Sequence, residues 1–219
     1  MTQSRISLRS IVVDAVIQRL VEWLAALAAL IVLCPALLVM AALIRLTSPG
    51  PALHRAPRAG QGGRLFTLYK FRSMTVDAAQ RGPGITVEGD ARVTPLGRWL
   101  RRSKLDELPQ LLNVLAGDMS LVGPRPEDPR YIEHYSPEQR QVLAARPGLT
   151  SPASLCYRDE AELLRGPDWE RTYLTVVLPD KLRIEREYLA GRTWLSDLKV
   201  LWQTALALVK NPDQLRPSA

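Results

Sequence analysis

The sequence predicts a mostly α-helical fold with a short β element. It divides into an N-terminal membrane segment at residues 1–46, a compact globular domain at 47–210 and a loose tail at 211–219. Three observations carry this. Trp23 to Ile44 is a run of 22 residues without a charge. Apolar residues recur downstream at helical spacing, as in Leu108, Leu111, Leu112 and Leu115. One stretch, Arg64 to Met74, alternates apolar and polar residues instead.

The apolar run comes first. As a straight helix it reaches about 33 Å, enough to cross the hydrocarbon core of a bilayer. A cleavable signal peptide does not fit, because no small-residue site closes the run before Arg45. Pro35 sits near its middle, where it removes an intrahelical hydrogen bond and can bend the helix. Each arm would then measure about 18 Å, enough to enter a leaflet and return. Arg5, Arg9 and Arg19 precede the run and Arg45, Arg55, Arg58 and Arg64 follow it, so the charges show no sidedness. Residue physics alone puts a spanning helix ahead of a re-entrant one.

Thr47 to Pro51 then marks a turn, and Arg64 to Met74 a strand or extended segment. Arg81 to Gly84 reads as a loop and Val87 to Arg92 as a polar connection. Ser103 can cap a helix through Leu108 to Leu115 that Gly117 closes, provided Pro109 lies in its first turn. Asp106 and Glu107 would then stand at the helix start, where backbone N–H groups favour anions. Pro137 to Leu143 suggests a further helix before an Arg146-Pro147-Gly148 turn. Asp180 to Leu189 suggests another, with Leu182, Ile184 and Tyr188 towards the core. The last helix, Trp194 to Lys210, puts Trp194, Leu198, Leu201, Trp202, Ala205 and Leu208 on roughly one side. Core packing is the plain reading of that stripe; tryptophan beside lysine also suits a helix that touches lipid headgroups.

The bulk numbers narrow the chemistry. An apolar share of 47% argues against disorder away from the termini. Lys plus Arg outnumber Asp plus Glu by 29 to 22, which suits anionic lipid or phosphorylated ligands. No nucleic-acid-binding motif accompanies that charge, so nucleic acid is not an expected partner. Cys34 and Cys156 are far apart, which argues against a disulfide framework or a zinc site, and His54 and His134 are isolated.

The chemistry concentrates between Ser103 and Glu127, SKLDELPQLLNVLAGDMSLVGPRPE. Adjacent carboxylates, Asp106 and Glu107, lie among Arg98, Arg101, Arg102 and Lys104, ahead of a Gly123-Pro124-Arg125-Pro126 turn. Carboxylates among cations suit chemistry on a phosphate, which needs a nucleophile or metal ligand beside charge-neutralising groups. A solvated face of an amphipathic helix is the bland alternative, but two prolines gripping an arginine are hard to explain by packing.

From Asp106 to Pro126 the chain closely resembles the bacterial sugar transferases, the monotopic phosphoglycosyl transferases. Lys70-Phe71-Arg72-Ser73-Met74, Arg92 to Arg98, Arg146 to Thr150 and Val177 to Leu182 match as well, so the resemblance covers residues 20–205. It implies an N-terminal re-entrant helix–break–helix, with the break at Cys34-Pro35, beneath a cytoplasmic catalytic domain with interfacial helices on the bacterial inner membrane. It also implies transfer of a sugar-1-phosphate from a UDP-sugar to polyprenyl phosphate, with release of UMP. Asp106 matches the nucleophile that forms a phosphosugar–aspartyl intermediate, and Glu107 a metal ligand or base toward Mg2+. Arg125 would hold a phosphate bidentately, and Arg101 with Lys70 or Arg72 would bind further phosphate oxygens. Arg98, Arg102 and Lys104 read as surface cations, Asp118 as a local hydrogen-bonder, and Asp77 and Asp90 carry no role. Membrane phospholipid is an expected partner; the oligomeric state stays open, a dimer included.

The run Ser151-Pro152-Ala153-Ser154-Leu155 departs from the family's usual Gly-x-Ala-Gln-Val, which leaves the sugar open. Two other functions compete. One is a membrane-anchored basic module that binds phosphorylated ligands without catalysis. The other is a spanning phosphotransferase that works by a single metal-activated displacement.

Overall fold

The computed structural model describes residues 8–78, 80–82, 85–87, 89–164 and 168–209, with side chains from Val16 to Leu208. The expected tail at 211–219 lies outside the described residues. Helix α1, Leu8–Thr47, is a single helix of 40 residues. Its backbone stays helical through Cys34 and Pro35, so the expected interruption there is corrected to, at most, a bend within a continuous helix. A proline removes one hydrogen bond of the ladder, and packing on both sides of it can hold the remainder.

That packing is one-sided. Ala26, Ala29, Leu30 and Leu33 meet Leu68, Leu111, Val114 and Met119. Beyond Pro35, Leu37, Met40, Ala41 and Ile44 meet Phe71 and Leu100. Both arms therefore lie along the same globular domain. The opposite side, including Ile31, Val32, Leu38, Val39 and Leu46, is exposed and apolar. Polar contacts fasten the helix ahead of the apolar run. Arg19 Nη1 donates to the Met119 carbonyl at 3.0 Å, and Gln18 Nε2 to Asp197 Oδ2 at 3.1 Å.

Strands β1, Leu53–Ala59, and β2, Leu65–Phe71, form an antiparallel hairpin in register from Leu53 opposite Phe71 to Ala59 opposite Leu65. β2 falls inside the expected strand. β1 was not anticipated, because Pro57 and three charged or imidazole side chains break its alternation. Pro57 is tolerated because a two-stranded sheet has only edges. Helix α2, Pro95–Ser103, starts at Thr94, whose hydroxyl accepts from the Gly97 N–H at 2.9 Å. Gly97 has no room for a side chain, since a Cβ would stand 1.9 Å from the Ser73 carbonyl oxygen.

The helix expected to start at Ser103 is instead split. Ser103 ends α2, and its Oγ donates to the Trp99 carbonyl at 2.9 Å. Lys104 takes a left-handed conformation (φ 58°) and turns the chain into a 3-10 helix at Leu105–Gln110. Pro109 has no N–H to give to the α-helical ladder, which favours the tighter turn. Helix α3, Leu111–Ala116, follows and closes at Gly117 (φ 94°), as the glycine suggested. Asp106 and Glu107 thus occupy the first turn of the 3-10 segment.

β3, Ser120–Val122, pairs in parallel with β4, Gly148–Thr150, and this pair flanks the Gly-Pro-Arg-Pro turn. Gly123 N–H donates to Thr150 O at 3.0 Å and Gly148 N–H to Pro124 O at 2.9 Å, so the turn is clamped by β4. Short helices α4 (Pro129–Ile132), α5 (Pro152–Cys156), α6 (Glu160–Leu163) and α7 (Trp169–Thr172) follow, and the helix expected over Pro137–Leu143 is a 3-10 segment at Gln139–Ala144. Helix α8, Leu178–Ala190, buries Lys181, Leu182 and Glu185, so two charged residues share the inward stripe expected of Leu182, Ile184 and Tyr188. It closes a core with Tyr131, Tyr135, Tyr173 and Val177. Helix α9, Trp194–Val209, leaves Trp194, Leu195, Leu198 and Trp202 exposed, so that side is not the core stripe that plain packing suggested.

Asn113 ties α3 to the hairpin. It is fully buried; its Nδ2 donates to Thr67 O at 2.7 Å and its Oδ1 accepts from Tyr69 N–H at 3.0 Å. Asn113→Ala strands both backbone groups, at a cost of about 1–3 kcal/mol each. Thermal unfolding in detergent should show a clearly lowered midpoint; an unchanged midpoint would mean that β2 does not depend on this side chain.

Candidate active site

A cleft of about 550 Å³ opens between the hairpin, α2, the 3-10 segment and the α5–α6 region. Asp106 forms part of its wall and is only 5% exposed. Its Oδ1 is buried without a hydrogen-bond partner. Buried carboxylate oxygens are rarely left this way, and one that is calls for an explanation such as a catalytic role, an ion or an ordered water.

Glu107, beside it, is held by a fork. Arg125 Nη2 meets Oε1 at 2.5 Å and Nη1 meets Oε2 at 3.2 Å. The Arg125 side chain remains 41% exposed on its cleft side. On the opposite wall, both Nη1 and Nη2 of Arg101 donate to Thr86 Oγ1, at 2.8 and 2.7 Å. Lys70 projects from β2, and Lys104 Nζ donates to the Arg158 carbonyl at 2.9 Å.

These charges set the two carboxyls apart. Burial, then the neighbouring Glu107 charge, pushes Asp106 up to about 6, although Lys70, Arg101 and Lys104 pull the other way. Burial also acts to raise Glu107, but Arg125, by charge and hydrogen bond, with Lys104 and Lys70, holds it down to about 2. Burial and then Arg101 lower Lys70 to about 8. One carboxyl is therefore poised near neutrality and the other stays ionised.

Five of the residues expected at the site, Asp106, Glu107, Arg125, Arg101 and Lys70, line this one cleft. Arg72 does not, and its expected phosphate role is corrected. It is 6% exposed, and its Nη2 donates to Ser48 O and Ser48 Oγ, both at 2.7 Å. β2 ends at Phe71, so Arg72 leaves the strand and meets the carbonyl end of α1, where a cation is favoured. Arg98, Arg102 and Lys104, read as surface cations, line the cleft instead. Asp118 accepts from Asn113 Nδ2 at 3.4 Å, a local hydrogen bond, and Asp90 pairs with Arg92 at 2.7 Å. Sequence reasoning missed Lys181, Glu160, Tyr173 and Glu127, which complete the far wall. Lys181 pairs with Glu160 at 3.1 Å and stands 5.4 Å from the Tyr173 ring centre. Glu127 closes the 103–127 stretch and Lys181 falls in the Val177 to Leu182 run, whereas Glu160 and Tyr173 had no sequence signal.

A divalent cation fits this donor set. Mg2+ takes one or two carboxylates and fills its shell with phosphate oxygens and water, and the site offers two adjacent carboxylates with one oxygen unpartnered. Glu107 would yield part of its contact with Arg125 to such an ion.

The model of the bacterial sugar transferase family matches residues 13–211, and the chain belongs to that family. It is 39% identical over 197 residues to the UDP-glucose:undecaprenyl-phosphate glucose-1-phosphate transferase of Caulobacter vibrioides, covering 88% of this chain and 69% of the relative. It is 41% identical over 148 residues to the UDP-N-acetylgalactosamine-undecaprenyl-phosphate N-acetylgalactosaminephosphotransferase of Aeromonas hydrophila, covering 65% of this chain but only 34% of the relative. The exopolysaccharide production protein PSS of Rhizobium leguminosarum bv. phaseoli is 44% identical over 161 residues, 70% of this chain and 78% of its own length.

The split between the carboxyls is measurable. Asp106 binds its proton more tightly folded than unfolded, so it adds stability below the ordinary carboxylate range and loses it as pH rises through about 6. Glu107 does the reverse, adding stability above the ordinary range and losing it as pH falls towards 2. Carboxyl 13C NMR of the metal-free protein should show one of the pair titrating near 6, absent in Asp106→Asn, and the other ionised at pH 4. Arg125→Gln should raise the second. Two ordinary titrations near 4 would contradict the geometry.

Proposed function

We propose that this chain transfers a sugar-1-phosphate from a UDP-sugar to polyprenyl phosphate, releasing UMP, as the first membrane step of glycoconjugate or polysaccharide assembly. The observation that carries the reading is the buried Asp106, one oxygen unpartnered, in a cation-lined cleft beside the Glu107–Arg125 fork.

The residues suggest how. An Asp106 oxygen attacks the sugar-bearing phosphorus of the donor, and the bond from that phosphorus to the bridging oxygen breaks. UMP leaves with the bridging oxygen and its electron pair, and a phosphosugar–aspartyl acyl phosphate remains. An oxygen of polyprenyl phosphate then attacks the same phosphorus and displaces the carboxylate, which restores Asp106. Two displacements avoid one direct meeting of two anionic phosphates. Arg125, exposed on one side while it grips Glu107 on the other, can donate to the reacting phosphoryl oxygens. Arg101 and Lys70 offset the remaining charge from the opposite wall, with Arg98, Arg102 and Lys104 adding to the field. Glu107 would hold Mg2+ together with diphosphate oxygens of the donor; when bound, the ion supplies charge neutralisation at the phosphates.

Membrane placement follows the same logic. Polyprenyl phosphate keeps its headgroup at the bilayer surface, so the cleft must lie close to it. Support comes from α1, whose two arms both rest on the domain while their other side is exposed and apolar, and from the exposed tryptophans of α9. We infer a re-entrant, one-leaflet insertion of α1 with a bend at Pro35, rather than a helix that crosses alone. The soluble nucleotide-sugar would reach the cleft from the cytoplasmic face of the bacterial inner membrane.

The direct test is UMP release from a panel of UDP-sugars with polyprenyl phosphate and Mg2+. The parent should turn over at least one sugar and Asp106→Asn none. Equal turnover in both would remove Asp106 as nucleophile, and silence of the parent across the panel would favour a binding module without catalysis. In the same assay, Arg125→Lys keeps the charge but loses the fork, and kcat/KM should fall on the order of a hundredfold. A loss below about threefold would mean that bidentate geometry is unimportant.

A further inference from the structure

Glu185, on the buried side of α8, has no place in the mechanism above. It is 3% exposed, and neither carboxylate oxygen has a hydrogen-bond partner. An unpaired buried carboxyl is costly, so something must offset it. Glu185 lines a small cavity of about 30 Å³ behind the Gly-Pro-Arg-Pro turn, walled by Pro124, Arg125, Glu127, Tyr135 and Lys181. That space suits one water molecule with polar partners.

Near the carboxylate stand the Ser151 hydroxyl, the backbone N–H of Arg125 and the Lys181 ammonium, none of them hydrogen-bonded to it, and Arg125 and Lys181 share the cavity wall with it. Two of these are engaged elsewhere. Ser151 Oγ bonds Ser154 Oγ at 2.9 Å, and Lys181 pairs with Glu160. The Arg125 N–H makes no backbone hydrogen bond among the described residues. The neighbouring groups of the turn are fixed, Gly123 N–H and Pro124 O both being held by β4. Among the described residues the Arg125 N–H is thus left without the backbone anchor that Gly123 and Pro124 have.

We propose that Glu185 is a positioning residue: it anchors the Arg125 backbone N–H through one water in the cavity, and so aims the guanidinium at Glu107 and the reacting phosphate. Glu185 touches no substrate and acts only through Arg125. The role rests on the reading of Asp106 and Arg125 given above.

Two readouts test it. In the UMP-release assay, Glu185→Leu should lower kcat roughly tenfold or more, and Glu185→Gln, which keeps one oxygen acceptor, should recover most of that loss. In an Arg125→Lys background, the guanidinium that needs aiming is gone, and Glu185→Leu should cost less than about threefold more. Equal losses in both backgrounds would reduce Glu185 to a packing residue and overturn the proposal. The second readout is the backbone amide resonance of Arg125 in the full chain in detergent, which should move in Glu185→Gln. An unmoved resonance overturns the contact even if Glu185→Leu fails to fold. The resonance is read without turnover, so it separates failure of this proposal from failure of the transferase reading.

Discussion

The site depends on holding two adjacent carboxyls at widely separated proton affinities. Asp106 and Glu107 are neighbours in sequence and both are drawn into the same cleft, where like charges cannot both be ionised cheaply. The Arg125 fork resolves this by committing itself to Glu107. Glu107 stays ionised, and Asp106 is left buried with an oxygen to spare. Everything else in the domain serves to bring that arginine and those carboxyls together. The left-handed turn at Lys104 delivers the carboxyls, and the β3–β4 clamp delivers Arg125.

The membrane helix belongs to the same construction. α1 packs along α3, directly after the catalytic turn, and Arg19 bonds the Met119 carbonyl at the far end of α3. Arg72 fastens the other end of α1 next to the end of β2, which carries Lys70. The long apolar helix therefore braces elements that carry the site, although none of its residues lines the cleft. On the proposed reading, in which the acceptor cannot leave the bilayer, that bracing would set the height of Asp106 above the surface.

Much of the site was legible in sequence because its chemistry sits in one contiguous segment. Asp106, Glu107 and Arg125 lie within 103–127, and their spacing survives folding. The far wall was not legible. Lys181, Glu160 and Tyr173 come from three separate elements, and nothing local distinguishes a cleft lysine from a solvated one. Arg72 misled for a related reason: it stands beside Lys70 in the same motif, yet the strand stops between them and sends the two cations to different places. The hairpin was half legible, since β2 alternates and β1 contains Pro57. The three-residue strands β3 and β4 are too short to show any period. Ser103 had the chemistry of a helix start, but Thr94-Pro95 supplied a better one and Pro109 turned the next segment into a 3-10 helix.

The central claim is that Asp106 carries the sugar phosphate between donor and acceptor. The most direct measurement is the intact mass of the protein after exposure to a UDP-sugar substrate and Mg2+ without polyprenyl phosphate. The account predicts a gain of one sugar-phosphate, mapped to the peptide that contains Asp106, discharged on adding polyprenyl phosphate and absent in Asp106→Asn. A parent enzyme that turns over with both substrates, yet never gains that mass, would contradict it and point to direct displacement.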